Sequence, residues 1–222
     1  MNLKYYNMQD LQIKKFDINN ITKHSSVLII SRRESGKTTL CKKIMENLNC
    51  DEHVIITHKT QTDYIENDKT KIYTEYNNDI IKSSLETQSN HIDLHGKINS
   101  DLCLIIDDSS IFSSVTKDDN FTELMYNSRH YKISLILTNQ IPLSMKPDFI
   151  TNIDYIMLFV TDNMTHIKKM YYDYAEFFKT FDEFHNVFNI LTKDYGVMVI
   201  SNRVKNIYDR VFWYNTLNEN EI

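Results

Sequence analysis

Glycine and proline are scarce in this chain, which has 3 glycines and 2 prolines among 222 residues. This scarcity leaves no Gly- or Pro-rich low-complexity segment, and 41% hydrophobic with 25% charged residues is the composition of a globular protein rather than a disordered or fibrous one. In a sequence with so little glycine, the positions that keep it are those where the backbone needs it. Gly36 is one of the three and is therefore a candidate for a special backbone conformation.

Cysteine and long apolar runs are also lacking. The three cysteines (Cys41, Cys50 and Cys103) form no metal-ligand spacing, and a small odd number suits a reducing compartment. No apolar run has the length needed to cross a bilayer, and the opening segment MNLKYYNMQDLQIKK lacks the apolar core of a signal peptide. We therefore expect no direct membrane insertion and a location on the cytosolic side.

Positive charge is not in excess, because 25 Lys and Arg residues face 30 Asp and Glu residues, for a net charge of −5. A dedicated nucleic-acid coat protein is usually basic. Short basic groups at 14–15, 42–43, 168–169 and 203–205 are each typical of a solvated helix face or loop end. Any contact with DNA must therefore be local or built by an oligomer.

Apolar runs of strand length alternate with segments of helical periodicity. The predicted strands are 25–31, 53–57, 101–107, 132–138 and 154–160, and a hairpin of 195–201 and 207–214 follows. The predicted helices are 37–48, about 77–88, about 119–130, about 163–175 and 178–191. Buried strands that alternate with helices predict an α/β fold with a mostly parallel central sheet flanked by helices. We expect the hairpin to extend one edge of this sheet.

A phosphate-binding loop is predicted between the first strand and the first helix. Residues 31–38 match G-x-x-x-x-G-K-S/T except at the first position, where Ser31 replaces glycine. Backbone N–H groups of such a loop and the helix N-terminus bind anionic oxygens. Lys37 is expected to reach the β- and γ-phosphates of ATP, and the Thr38 hydroxyl to ligate Mg²⁺. The predicted ATP-binding residues are Ser31, Arg32, Arg33, Glu34, Ser35, Gly36, Lys37, Thr38 and Thr39.

An acidic pair ends the buried strand LCLII. The carboxyl edge of a parallel sheet is where α/β folds bind ligands, so Asp107 is a candidate Mg²⁺ ligand, commonly through water. Asp108 points to the other side and is a candidate general base for the attacking water. The alternative is a solvated strand end ahead of a serine-rich loop.

Three segments together carry a family resemblance: SRRESGKTT, LCLIIDDSS and MYNSRHYKISLILTNQ. They resemble the genome-packaging ATPases of large nucleocytoplasmic DNA viruses, the poxvirus-type branch of the FtsK–HerA superfamily of P-loop ATPases. The resemblance spans about 25–160, and N-S-R-H-Y-K-I-S is its most specific part. It departs at Ser31, where the family has glycine, and at Asp108, where many members have glutamate.

The resemblance implies a homo-oligomeric ring that couples ATP hydrolysis to movement of double-stranded DNA into a preformed capsid. Capsid or virion assembly proteins would be its partners, and the host cytoplasm (virus factory) or the virion its location. It also implies the additional-strand, RecA-like arrangement, in which strand 132–138 lies between the other two strands of the site. Gln140 is then the favoured γ-phosphate sensor, with Asn139 as the other candidate.

Arg129 precedes that strand and has two interpretations. It is a candidate arginine finger that reaches the ATP of a neighbouring subunit, where a fixed positive charge stabilises the transition state. The alternative, a surface arginine that closes a helix C-terminus, is equally well supported by its position.

Other functions remain open from the sequence. A nucleoside kinase or a helicase-like P-loop ATPase has the same motifs, and a degenerate P-loop interaction scaffold is an alternative of a different class. A GTPase is disfavoured because no N-K-x-D motif is present. We predict one domain over 1–222, with an irregular or short-strand lead-in at 1–24, a nucleotide-binding core at 25–160 and C-terminal helices and a hairpin at 161–222.

Overall fold

The computed structural model describes residues 13–57, 64–95, 100–107, 117–142 and 145–217. Within these ranges the strands are β1 (Lys14–Lys15), β2 (Ser26–Ile30), β3 (Glu52–Thr57), β4 (Thr70–Tyr73), β5 (Leu102–Asp107), β6 (Ile133–Asn139), β7 (Tyr155–Phe159), β8 (Gly196–Ser201) and β9 (Val211–Asn215). The α-helices are α1 (Lys37–Leu48), α2 (Asn78–His95), α3 (Asp119–Asn127), α4 (Pro147–Thr151), α5 (Met164–Tyr174) and α6 (Phe181–Leu191). Short 3-10 turns cover Ile18–Asn20 and Ile207–Asp209.

The nine described strands form one sheet in the order β1-β9-β8-β7-β2-β6-β5-β3-β4. Among them only β8 runs opposite to the others, because it pairs antiparallel with both β7 and β9. The predicted α/β class with a mostly parallel sheet is confirmed, and the hairpin of β8 and β9 extends the sheet beyond β7 as expected. In the described part of the chain, no helix is long and apolar enough to cross a membrane.

Helices cover both faces of the sheet, which explains why its central strands are apolar along their whole length. Side chains alternate between the faces along a strand. Val27 and Ile29 pack on the side that α1 covers with Leu40 and Ile44. Leu28 and its neighbours on alternate positions belong to the other side, which α2, α3, α5 and α6 cover.

Some elements differ from the sequence-based expectation. The polar β4 and the short α4 were not predicted, because neither carries an apolar run of strand or helix length. The two-residue β1 is a short strand within the lead-in. Helix α3 ends at Asn127 rather than near 130, because the chain turns there and reaches β6 through Lys132 at φ 53°. Helix α2 continues to His95 through a polar stretch that has no apolar periodicity.

The position of β6 brings three strand ends together. It pairs in parallel with β2 on one side and with β5 on the other, so Ile30, Asn139 and Asp107 end at the same edge of the sheet. This is the additional-strand arrangement that the resemblance implied. The end of β7 and the start of the antiparallel β8 lie at the same edge, because Phe159 pairs with Val197. All candidate nucleotide-binding segments therefore converge there.

Candidate nucleotide-binding site

The loop between β2 and α1 is closed by hydrogen bonds of its own residues. The hydroxyls of Ser31 and Ser35 both donate to the carbonyl oxygen of Arg32, at 3.2 and 2.8 Å. The Ser31 N–H donates to the carbonyl of Asn139 at 2.9 Å, which attaches the start of the loop to the end of β6. The loop is thus a fixed turn between a strand and a helix, as the phosphate-loop motif predicts.

Gly36 is required for two independent reasons. It caps α1 with φ 93° and ψ 9°, a left-handed conformation that side chains disfavour. A Cβ atom there would also lie 3.0 Å from the Thr216 hydroxyl oxygen. Ser31 has no such requirement, since its φ is not positive and its buried side chain is accommodated. The replacement of glycine at the first position of the motif is therefore compatible with the backbone of this loop.

Lys37 and Asp107 meet at the centre of the site. Lys37 Nζ lies 2.5 Å from Oδ1 of Asp107 and 3.0 Å from the hydroxyl of Thr138. The Thr138 hydroxyl donates to the same carboxylate oxygen. All three side chains are buried, so the charges of Lys37 and Asp107 interact with little screening by water. Lys37, a cation that can bind phosphate, is therefore in direct contact with Asp107, a carboxylate that can bind a metal.

Thr138 was missed by sequence reasoning. It is paired in register with Asp107 on the neighbouring strand, so both side chains point to the face that α1 covers. The available signal was a lone hydroxyl at the carboxyl end of the apolar strand KISLILT, on a strand expected beside that of Asp107. Its role in the structure is to orient the carboxylate.

Tyr64 is a second residue that the sequence did not reveal. It follows the described end of β3 by several residues, yet its ring is buried in the core on the α1 side of the sheet. Burial raises the pKa of the Tyr64 phenol far above its usual value, and Cys41 and Asp107 nearby raise it further. Tyr64 therefore stays protonated and neutral within the core on the α1 side of the sheet.

The donor set at this edge suits Mg²⁺, which prefers hydroxyl and carboxylate oxygens. Thr38 is half-buried in the first turn of α1, directly after the lysine that contacts Asp107, and Thr39 beside it is exposed. The described residues include no group of three or more His, Cys, Asp or Glu side chains that could hold a metal alone. A magnesium ion here would therefore depend on phosphate oxygens in addition to Thr38 and Asp107.

The other residues predicted for water activation or γ-phosphate sensing are Asp108, Asn139 and Gln140. Asp108 lies outside the described residues, so its role as general base stays a prediction. Asn139 is fully buried, and its Oδ1 accepts from the Gln140 N–H at 2.9 Å. Among the described residues its amide nitrogen has no hydrogen-bond partner. Gln140 is half-buried and accepts a hydrogen bond of 3.3 Å from Arg33 of the loop.

Arg129 lies at the opposite edge of the sheet. Its guanidinium pairs with the buried carboxylate of Asp154, which also accepts from the Ser26 N–H at 2.9 Å. Arg129 precedes the seven-residue strand β6 and Asn139 ends it, so the length of the strand separates them, roughly 20 Å at the usual rise of a strand. Arg129 therefore cannot serve the nucleotide site of its own chain. It lines a polar cleft of about 490 Å³ together with His130 and Arg203.

A groove of about 340 Å³ adjoins the outer side of the loop. Its walls are the loop itself, the end of β7 and the turn that leads into β8. The lining residues include Arg32, Glu34, Phe159, Lys193, Tyr195 and Gly196. Gly196 allows a close approach, because a Cβ there would lie 2.2 Å from the carbonyl oxygen of Leu191.

This loop, helix and strand arrangement defines a P-loop NTPase fold. In agreement, a solved structure of the genome packaging NTPase B204 from Sulfolobus turreted icosahedral virus 2 in complex with AMPPCP superposes with a TM-score of 0.64. It is 16% identical and covers 88% of this chain and 100% of its own. The cytoplasmic domain of the type VII secretion ATPase EccC from Thermomonospora curvata has a TM-score of 0.58 at 10% identity, over 87% of this chain and 25% of that one.

The sequence relatives are proteins of large DNA viruses. Uncharacterized protein L437 of Acanthamoeba polyphaga mimivirus is 31% identical over 222 residues, which cover 94% of this chain and 78% of the relative. Uncharacterized protein 075L of invertebrate iridescent virus 6 is 24% identical over 93% of this chain and 84% of its own length. No protein-family model matches the chain. The chain belongs to the family of mimivirus L437, and the expected resemblance to viral genome-packaging NTPases is confirmed in its fold.

Proposed function

We propose that this protein is an ATPase whose hydrolysis cycle moves double-stranded DNA into a viral capsid. The observation that carries the ATPase part is the buried contact of Lys37 with Asp107 directly behind the loop. A loop lysine and a strand-end carboxylate are the two charges with which P-loop sites hold a nucleotide and its metal. Kinship with large-DNA-virus proteins and a fold shared with packaging NTPases support the DNA-moving part.

Lys37 has a different partner before and after nucleotide binding in this proposal. Without phosphate, its ammonium is neutralised by Asp107 and hydrogen-bonded to Thr138. A triphosphate seated on the N–H groups of residues 31–39 offers Lys37 the more highly charged β- and γ-oxygens. Thr38 and Asp107 would then hold Mg²⁺, which neutralises charge on the same oxygens.

In this proposal, the residue that follows β5 activates water, and a residue at the end of β6 senses the γ-phosphate. Asp108 is proposed as the general base that takes a proton from the attacking water. Gln140 is proposed as the sensor, and its hydrogen bond to Arg33 supports a position beside the loop. Asn139 is the other candidate, supported by a buried amide group that can donate to a phosphate or to its water.

Arg129 is proposed to act on the ATP of a neighbouring subunit. Its place at the far edge of the sheet supports this, since a neighbour that presents its own nucleotide edge would meet that surface. Asp154 holds the guanidinium in one orientation, and a fixed positive charge is what stabilises developing negative charge on the phosphoryl group. The site is then complete only in a homo-oligomer, and we propose a ring.

The remaining parts of the proposal follow from motor function. A ring lets an acidic subunit contact double-stranded DNA, because only the residues that face the pore need to be basic. Capsid or virion assembly proteins would bind the ring and hold it at the capsid. The host cytoplasm, within a virus factory, or the virion is the corresponding location.

Steady-state ATPase activity with and without duplex DNA, alongside mass measurement of the assembly, tests this proposal. We expect turnover that depends on Mg²⁺, rises when duplex DNA is added and accompanies an oligomer. Phosphate transfer to a nucleoside with no response to DNA would indicate a kinase instead. A complete lack of turnover in every assembly state would indicate a degenerate scaffold.

A further inference from the structure

The groove beside the phosphate loop lies where the nucleoside end of a bound nucleotide must leave the site. Lys37 and Asp107 lie on the β6 and β5 side of β2, so the γ-phosphate end is expected there. The other neighbour of β2 is β7, and the groove opens at the end of β7 and the start of β8. Its volume of about 340 Å³ falls within the range of small-molecule sites.

Tyr195 places a partly exposed aromatic residue at this groove. It is 48% exposed, although it directly precedes the fully buried strand β8. Its backbone has φ 62°, a left-handed conformation that is unusual for a bulky residue. Asp194 before it also has a positive φ, 48°, which aspartate tolerates well, so the unusual residue of this turn is Tyr195. Strain of this kind is retained at ligand clamps, where it aims a side chain.

Thr216 holds this turn by hydrogen bonds and also lies close to the phosphate loop. The carbonyl of Tyr195 accepts hydrogen bonds from the Thr216 N–H and hydroxyl, both at 3.3 Å. A Cβ atom on Gly36 would lie 3.0 Å from the same Thr216 hydroxyl oxygen, and Lys43 of α1 donates to the Thr216 carbonyl at 3.2 Å. The position of Tyr195 is therefore fixed relative to the start of α1, where the phosphates are expected.

We propose that Tyr195 stacks on the base of the bound nucleotide and fixes the nucleoside in the groove. This inference rests on the proposed function, because it assumes phosphates on the loop. An aromatic ring stacks on any base, since every base has a π-face. Tyr195 therefore contributes affinity without choosing between adenine and guanine, and it contributes nothing to a ligand that has phosphates but no base.

Calorimetric titration with AMPPCP, its guanine counterpart GMPPCP and inorganic tripolyphosphate, all with Mg²⁺, tests the proposal. Tyr195→Asn removes the ring but keeps a residue that tolerates left-handed backbone. Tyr195→Phe keeps the ring. Tyr172→Asn, on α5 outside the groove and 60% exposed, is the matched control.

We expect Tyr195→Asn to raise the Kd of both nucleotides by about tenfold while the Kd of tripolyphosphate stays unchanged. Tyr195→Phe and Tyr172→Asn should stay within about twofold of the wild type for all three ligands, a margin of a few tenths of a kcal/mol. Unchanged nucleotide affinity in Tyr195→Asn, or an equal loss for tripolyphosphate, would overturn the stacking role. Failure of the wild type to bind any of the three ligands would instead overturn the phosphate site itself, and the stacking role with it.

Discussion

Lys37 Nζ lies 2.5 Å from a carboxylate oxygen of Asp107, although 70 residues separate them in the chain. Both side chains are buried, and Thr138 bonds to both of them. The pair therefore has two tasks. It neutralises two charges inside the protein in the absence of nucleotide, and it places a phosphate-binding cation beside a metal-binding carboxylate.

Replacing Lys37 separates these two tasks. Lys37→Ala should abolish ATP binding, because the loop loses the side chain that reaches the β- and γ-phosphates. Lys37→Met should lower the free energy of unfolding by about 3–5 kcal/mol, the usual cost of removing one partner from a buried ion pair. The double variant Lys37→Met with Asp107→Leu should regain most of this stability, because no buried charge remains.

Urea denaturation of Lys37→Met, Asp107→Leu and the double variant measures the coupling free energy between the two side chains. ATP binding should remain absent in the stable double variant. If Lys37→Met is as stable as the wild type, the ion pair contributes nothing to the fold. If the double variant binds ATP, Lys37 is not the phosphate-binding residue.

The sequence was sufficient to predict the parts of the site that lie within one element or at its end. Gly36 and Lys37 are recognised from a contiguous motif between a strand and a helix, and Asp107 from the carboxyl end of a buried strand. Thr138 and Tyr64 were not predicted, because their proximity to Asp107 depends on strand register and on long-range packing. Tyr195 was not predicted for the same reason, because its position beside the loop depends on the antiparallel pairing of β8 with β7.

The sequence left two interpretations of Arg129, and the structure shows that its guanidinium pairs with Asp154. No sequence pattern links Arg129 to Asp154, because the two residues come together only when β6 and β7 flank β2. The segment around β4 could not be predicted for another reason. This strand is short and mostly polar, and it is stabilised by pairing with β3 rather than by its own apolar residues.

Asp108→Asn should leave ATP binding intact and remove hydrolysis. The substitution keeps the size of the side chain but removes its ability to accept a proton from water. Binding of AMPPCP by calorimetry and turnover of ATP by phosphate release give the two readouts. Normal turnover in Asp108→Asn would refute the assignment of this residue as the base.

Arg129→Ala should lose activity as a homogeneous assembly and regain part of it in mixed assemblies. A subunit with both Lys37→Met and Asp107→Leu should keep most of its stability and cannot bind ATP, but it can supply its arginine to a neighbour that carries Arg129→Ala. Steady-state ATPase activity across mixing ratios measures this complementation, with Lys82→Ala on the exposed face of α2 as a control. Activity of the mixtures that never exceeds the sum of the separate variants would remove support for a finger in trans.

Stability at acid pH should depend on Asp101. Burial alone raises the pKa of this carboxyl, but hydrogen bonds from Lys23 at 2.6 Å and from His24 at 2.7 Å outweigh it and lower the pKa. A lowered pKa in the folded state means that its contribution is present above the unfolded pKa, which is about 3.9, and is lost as the pH falls below it.

Unfolding midpoints measured from neutral pH down to pH values of about 2 and below test this dependence. Asp101→Asn should be less stable than the wild type at neutral pH and should show a smaller further loss in acid. Asp162→Asn, at a position where the carboxylate is almost fully exposed, is the control. Parallel pH profiles for the wild type and Asp101→Asn would show that the contacts of Asp101 do not stabilise the fold.

In the proposed site, Lys37 and Asp107 serve one nucleotide and its metal. Calorimetric measurement of AMPPCP affinity with and without Mg²⁺, in the wild type and in Asp107→Asn, checks this claim. The wild type should gain affinity when Mg²⁺ is added, whereas Asp107→Asn should bind AMPPCP without Mg²⁺ but lose most of that gain. An equal gain in both proteins would contradict the claim, because the metal would then be held elsewhere.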